Sequence, residues 1–193
     1  MTPAEETPLF PLNTVLFPGG LLPLRLFEQR YLEMAKGCLR DGSPFGVCLI
    51  REGAEVGTPA TSEAVGCLAR IVQWDMQQLG LLQITAQGER RFRVAERRVR
   101  SDGLALGRIT QLPEETNAPL ASGHACRQLL ERIAKEHGER LFAKPWRFYS
   151  SAWVSARLGD VLPLPLGTRQ KLLELDDALE RLRVLQGFIL EQR

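Results

Sequence analysis

Residues 8–31 read PLFPLNTVLFPGGLLPLRLFEQRY and decide how the chain begins to fold. Two short apolar segments lie on either side of a Phe-Pro-Gly-Gly sequence at residues 17–20, which is typical of a turn. The stretch then runs into a helix start at the Phe-Glu-Gln-Arg-Tyr sequence of residues 27–31. It contains no arrangement of nucleophile, base or metal ligand, so we interpret it as a folding and docking element.

A helix is expected after this stretch. Apolar residues recur at three-to-four spacing and predict an amphipathic helix whose apolar side packs on a sheet; they are Phe27, Tyr31, Met34, Ala35 and Cys38. The Arg-Asp-Gly sequence at residues 40–42 is typical of a helix end.

The rest of the first half alternates between apolar and other residues with period two, which predicts strands. The alternation covers residues 45–50, 65–72 and 82–87. Gly88-Glu89 lies between the strand-like segments at residues 84–86 and 92–94 and is interpreted as a hairpin turn.

The pattern changes after a polar segment bracketed by prolines, residues 113–119, which we interpret as a linker. Helical spacing follows at residues 125–133, 153–158 and 166–175. A last helix begins at Asp177 and carries Leu179, Leu182, Leu185 and Ile189 on one face. We therefore predict an α+β protein with two domains, a β-rich domain with one helix at residues 1–115 and an all-α helical domain at residues 116–193.

Composition indicates an ordinary globular protein. The 193 residues are 44% hydrophobic and 25% charged, with a formal net charge of +2. No apolar run approaches the ~20 residues needed to cross a bilayer, and the N-terminus lacks a basic region and a long apolar stretch. The four cysteines form no CxxC pair and lie in apolar surroundings. We expect a cytoplasmic protein with reduced, buried thiols and no membrane contact.

The usual catalytic patterns are missing from the sequence. No Gly-Lys dipeptide occurs, which excludes a Walker A loop, and no HExxH occurs. His124 and His137 are the two histidines of the chain, too few for a His-rich metal site or a convincing triad. We expect no catalytic residue, no metal and no cofactor.

The corner at residues 27–31 allows two interpretations. Glu28 and Arg30 would project from the helix start as a recognition point beside exposed apolar residues. Alternatively, Glu28 stabilises the helix N-terminus, while Phe27 and Tyr31 are neighbours in the core. The residues of the corner alone favour the second, structural interpretation.

The arginine-rich segment, residues 90–100, also allows two interpretations. It holds six arginines, and Arg91, Arg93 and Arg97 would line one face of a strand and bind phosphates, with Phe92 as a stacking platform. Alternatively, it is a solvated strand with Phe92 turned into the core and charges that discourage edge pairing. Glu96 within the segment and Glu89 directly before it favour the solvated strand. The role of the tryptophans is equally open, because a buried tryptophan serves core packing and an exposed one is typical of a docking anchor.

Residues 8–31 resemble the start of the N-terminal, substrate-binding domain of ATP-dependent Lon proteases. The segments FGVCLI at residues 45–50, VGCLARI at 65–71 and GERRFRV at 88–94 follow in the order and spacing of that family. The resemblance is strong to about residue 112 and looser through LPLPL at 162–166 and LLELD at 172–176. It is greatest to stand-alone bacterial proteins that carry this domain without the ATPase and protease modules.

The resemblance implies a PUA-like, twisted β pseudo-barrel joined to a helical bundle. It also implies capture of unfolded or peptide-like protein segments without hydrolysis, in association with a protease or chaperone. The candidate protein-binding residues are Leu22, Leu24, Glu28, Gln29 and Arg30. Gln29 stands where the family often has proline, and the charge pattern of this corner differs from the family's. PUA-like folds also bind RNA, so an RNA-binding module that uses Arg91, Arg93 and Arg97 is the alternative.

Overall fold

The computed structural model describes residues 6–78 and 80–191. Residues 1–5, which belong to the predicted first domain and to the segment without secretory-signal features, lie outside the described residues. The chain divides into two compact units, residues 1–112 and 113–193, here called the barrel unit and the helical unit. This division falls three residues before the predicted boundary.

The described residues of the barrel unit form six strands and one helix. They are β1 (Thr7–Leu12), β2 (Leu21–Leu26), α1 (Gln29–Asp41), β3 (Phe45–Glu52), β4 (Thr61–Gln78), β5 (Leu81–Val99) and β6 (Ala105–Gln111). The sheet order is β2-β5-β4-β3-β1-β6, and β5 also pairs with β6. This second pairing closes five strands into a barrel, while β2 adds to the first half of β5. The predicted α+β class with a twisted pseudo-barrel is confirmed.

Strand β5 is continuous over 19 residues, so the predicted hairpin turn at Gly88-Glu89 is wrong. Gly88 is instead the place where the 17–20 turn rests on the strand. Its N–H donates to the Gly20 carbonyl at 2.9 Å, and a Cβ at this position would lie 2.3 Å from the Phe17 carbonyl oxygen. Glycine serves close backbone approach here rather than chain reversal. Chain reversal involves Gly80, which has a φ of 82°.

Helix α1 covers one side of the core, as its apolar spacing predicts. Met34, Ala35 and Cys38 are buried in a cluster with Phe10 and Phe45 of the sheet. The helix ends at Gly42, whose φ of 63° is left-handed and whose N–H donates to the Cys38 carbonyl.

The four cysteines are free and buried, as expected from their apolar surroundings. Burial raises the pKa of Cys48 to about 11, and burial likewise raises the pKa of Cys126 to about 11. These thiols are therefore protonated at neutral pH and serve as packing groups.

The helical unit contains α2 (Ala125–Leu141), α3 (Ser151–Val161), α4 (Leu166–Glu174) and α5 (Ala178–Glu191). Of the residues predicted to share one face of α5, Leu179 is 38% exposed, whereas Arg181, two residues later, is fully buried. The Arg181 guanidinium donates to both carboxylate oxygens of Glu115 at 2.7 Å. It also donates to the Leu172 carbonyl at 2.9 Å, which makes a charged residue tolerable in this core. Within residues 6–78 and 80–191, no helix combines the length and apolar composition that crossing a membrane requires.

Candidate protein-binding groove

Strand β2 lies at the border of the barrel unit and pairs with β5 alone among the described strands. The register places Leu22 opposite Ala86 and Leu24 opposite Ile84. Leu22 and Leu24 are partly buried and pack against the core. The expected exposed apolar surface at these two candidate residues is therefore reduced to their outer edges.

The free edge of β2 is a poor template for another strand. Gly88 donates to Gly20, so alternate residues from Gly20 onwards bond to β5. This alternation turns the nitrogen of Pro23 outwards, the arrangement in which strand prolines occur. Proline has no N–H, so a peptide adding along this edge finds no donor at the centre of the strand.

Glu28 occupies the N-cap position of α1 without a side-chain cap hydrogen bond. Its carbonyl accepts from the N–H groups of Tyr31 and Leu32, each at 3.0 Å. Its carboxylate pairs with Arg30 Nη2 at 2.8 Å. Gln29 is exposed beside it and donates to Glu33 Oε1 at 2.9 Å.

Arg30 is 6% exposed, so the prediction that it projects to solvent is wrong. Its Nη1 donates to the Gly103 carbonyl at 3.1 Å, and its guanidinium lies 4.7 Å from the centre of the Tyr31 ring. A planar cation with several donors satisfies all these contacts at once, which explains its burial. Arg30 thus fastens the helix start to the turn before β6.

A groove of about 160 Å³ opens at this corner. We call it the corner groove and define it by the lining residues Leu24, Phe27, Glu28, Tyr31 and Val56. Phe27 is 56% exposed and Val56 is 55% exposed, whereas Tyr31 is buried and stacks on Phe10 at 4.0 Å between ring centres. The groove therefore has an aromatic floor and two exposed apolar walls.

Sequence reasoning missed both walls. Phe27 was expected in the core as the i−4 neighbour of Tyr31, but α1 begins at Gln29 and Phe27 precedes its N-cap. The N-cap position of Glu28 would have been the signal, since residues before the cap do not share the helical face. Val56 is the one large apolar side chain in the loop of residues 53–60, and no periodicity marks it.

Carboxylates lie at the rim of the corner groove. Glu55 Oε1 accepts from the Asn13 N–H at 2.6 Å, and Glu55 also lines the groove. Burial raises the pKa of Tyr31, with Arg30 lowering it and both Glu28 and Glu55 raising it further. The Tyr31 phenol is therefore neutral at physiological pH and provides an uncharged floor.

The arginine-rich segment does not form the phosphate-binding face considered above. Arg91 is 2% exposed, and Arg93 is exposed. Arg97 is exposed too, but its Nη1 donates to the Ser62 carbonyl at 2.6 Å and its Nη2 donates to the Glu63 carbonyl. The predicted phosphate-binding face of the three arginines is wrong because Arg91 is buried and a register shift between Val94 and Glu96 takes Arg97 out of the alternation that Arg91 and Arg93 share.

Known proteins match the chain over nearly its whole length. The family model described as the ATP-dependent protease La (LON) substrate-binding domain matches residues 6–191. Lon protease 2 of Myxococcus xanthus is 28% identical over 98% of this chain, which covers 24% of that protein. The chain thus spans about a quarter of the length of this curated relative.

Two solved structures share the fold. A Lon N-terminal domain protein from Xanthomonas campestris superposes with a TM-score of 0.78 and 37% identity, covering 95% of this chain and 98% of that one. The N-terminal domain of a Mycobacterium avium complex Lon protease has a TM-score of 0.64 and 19% identity over 94% and 96% of the two chains, which shows the fold alone. The chain belongs to the family of ATP-dependent protease La (LON) substrate-binding domains.

Proposed function

We propose that this protein binds extended segments of unfolded proteins in the corner groove and performs no catalysis itself. The observation that carries the proposal is the exposure of Phe27 and Val56, each more than half accessible, on the two walls of one groove. Apolar side chains held apart in this way gain free energy when a ligand side chain fills the space between them. The family's description as a substrate-binding domain of a protease favours a protein segment as that ligand.

The candidate residues take different parts in this proposal. Leu24 and Glu28 line the groove and contact the ligand directly, and Gln29 is exposed beside them. Leu22 lies two residues before Leu24 on β2 and extends the apolar surface beside the groove. Arg30 supports the corner from beneath and reaches the ligand only through its ion pair with Glu28.

Binding in a groove fits this surface better than addition of a strand to β2. Pro23 removes the central donor of the free edge, so main-chain pairing would contribute little. The affinity then comes from the apolar walls. Burying one such side chain contributes roughly 1–2 kcal/mol, and two or three contacts give binding in the micromolar range. Weak binding of this kind suits capture and release of a client that passes to a protease or chaperone.

We place this capture in the cytoplasm. Four free, buried cysteines fit a reducing compartment, where unpaired thiols persist without forming disulfides.

The experiment compares two exposed apolar residues at opposite ends of the α1 region. Phe27→Ser removes a wall of the corner groove, and Leu39→Ser removes an apolar residue, 37% exposed, near the other end of the helix. Binding of a fluorescent, permanently unfolded model protein is measured by anisotropy. We expect Phe27→Ser to weaken binding by about five- to tenfold and Leu39→Ser to leave it unchanged. Equal effects of the two variants, or no binding by the unmodified protein, would contradict the proposal.

A further inference from the structure

One tryptophan is exposed without an evident structural reason. Trp74 on β4 is 61% exposed, whereas Trp153 and Trp146 contact other aromatic rings of the helical unit. Met76, two residues farther along the same strand, is 40% exposed. Exposed tryptophan is rare at positions without a partner and is enriched among residues that dominate binding.

Trp74 lies in the same cross-strand row as Leu24, which lines the corner groove. It pairs with Ile84 of β5, and Ile84 pairs on its other side with Leu24 of β2. Directly opposed residues project from the same face of a sheet. Ile84 is 3% exposed, so Leu24 and Trp74 are the accessible apolar members of this row.

The strand spacing fixes the distance between the backbones at Leu24 and Trp74. Neighbouring strands lie about 4.8 Å apart, so the backbones at Leu24 and Trp74 are separated by roughly 10 Å. A ligand that contacts both anchors must present two apolar side chains on one side at about this separation.

The charges that line the two grooves beside this row disfavour a polyanion as the ligand. The groove beside Trp74 is lined by Arg25 and Asp75, and Glu28 and Glu55 line the corner groove. When Arg30, which pairs with Glu28, is included, these linings hold two basic and three acidic residues. A net negative lining repels nucleic-acid phosphates and accepts a neutral or basic polypeptide.

We propose that Trp74 is a second anchor and that the ligand is an unfolded segment with large apolar side chains at positions i and i+3. This inference rests on the proposed function and specifies its ligand. A polyproline II segment has three residues per turn and a rise of 3.1 Å, so such side chains lie on one side about 9 Å apart. In a β-strand, side chains on one face are instead about 7 or 13 Å apart. Polyproline II is a major conformation of unfolded chains, which links the spacing to the client.

The test uses labelled peptides of equal length and charge. One contains Phe-Pro-Ser-Phe, which sets the i,i+3 spacing and disfavours helix; a second contains a single Phe; a third is a helix-forming peptide with Phe at i and i+7, spaced about 10 Å. We expect the i,i+3 peptide to bind about tenfold more tightly than the single-Phe peptide. In Trp74→Ala this ratio falls to about one, whereas the control Tyr149→Ala, 64% exposed in the helical unit, keeps it.

The outcomes separate this inference from the proposed function. If the single-Phe peptide binds and Phe27→Ser weakens it, but Trp74→Ala leaves the tenfold ratio intact, the second anchor is wrong and the groove stands. Tightest binding of the i,i+7 peptide would identify a helical ligand and overturn the inference. Displacement of the i,i+3 peptide by single-stranded RNA would overturn the charge argument. No binding of any peptide or of the unfolded model protein would refute the proposed function itself.

Discussion

The corner groove and the arginine-rich segment belong to the same barrel unit and use their side chains in opposite ways. In the arginine-rich segment, charges are satisfied within the protein: Arg97 binds two backbone carbonyls, Arg98 pairs with Glu6 and Arg100 pairs with Asp102. In the corner groove, Phe27 and Val56 remain more than half exposed. An abundance of charge therefore does not by itself mark a ligand site, because the charged side chains can be satisfied within the protein, whereas exposed apolar side chains cannot.

The largest effect expected from this comparison concerns Arg91, the buried arginine of the arginine-rich segment. Arg91→Ala removes a guanidinium that is 2% exposed, so the buried groups that interact with it lose their partner. We expect unfolding to become easier by about 3 kcal/mol. The exposed neighbour Arg93 is the control, and Arg93→Ala should change stability by no more than about 0.5 kcal/mol. Urea titration followed by circular dichroism measures both, and similar midpoints would mean that Arg91 is not a structural residue.

The next largest effect tests whether Arg30 supports the corner groove or forms part of its surface. Arg30→Ala removes the hydrogen bond to Gly103 and the pair with Glu28, and we expect a loss of about 2 kcal/mol in stability. Arg30→Lys keeps the charge but cannot reproduce the forked contacts, so it should recover only part of that loss. If Arg30→Ala weakens client binding but leaves the free energy of unfolding unchanged, Arg30 contacts the ligand directly and the structural interpretation is wrong.

A smaller effect compares two valines of matched exposure, one in each region. Val56 is 55% exposed in the corner groove, and Val99 is 56% exposed at the end of the arginine-rich segment. Val56→Ser should weaken binding of the unfolded model protein by about 1 kcal/mol, roughly fivefold. Val99→Ser should have no effect on the dissociation constant. If Val99→Ser weakens binding and Val56→Ser does not, the client binds beside the arginine-rich segment.

The smallest effect is a pH dependence of the turn that carries Gly103. Arg100 holds the pKa of Asp102 at about 2, below its usual value of 3.8. The carboxylate also accepts from the Leu104 N–H. Because the pKa is lowered on folding, the stabilisation is complete above about pH 4 and is lost as the pH falls towards 2. The pair is exposed, so the loss should not exceed about 0.5 kcal/mol. Asp102→Asn should remove this part of the acid dependence in urea titrations between pH 4.5 and 2.

Local patterns predicted the elements of the barrel unit well where one principle governed each segment. Period-two alternation gave strands β3, β4 and the start of β5, and the Arg-Asp-Gly sequence gave the end of α1. The prediction of a turn at Gly88 was wrong because a glycine that is required for tertiary contact with residues 17–20 has the same local sequence pattern as a hairpin glycine.

The corner groove was predictable only in part. Leu24 and Glu28 could be proposed because a family resemblance singled out residues 22–30, and both line the groove. The burial of Arg30 depends on the Gly103 carbonyl, 73 residues away in the chain, which no local pattern contains. Val56 lines the corner groove because of the placement of its loop, and Trp74 lies in one row with Leu24 because of the strand register. Both are tertiary properties that local sequence patterns do not contain.

The most direct test of the central claim maps the client on the barrel unit. Amide signals of the ¹⁵N-labelled protein are assigned and followed by NMR while the unfolded model protein is added to saturation. We predict that shifts concentrate at residues 22–31, 53–57 and 73–76, and that residues 90–100 remain unperturbed. Shifts confined to residues 90–100, with the corner groove unchanged, would contradict it.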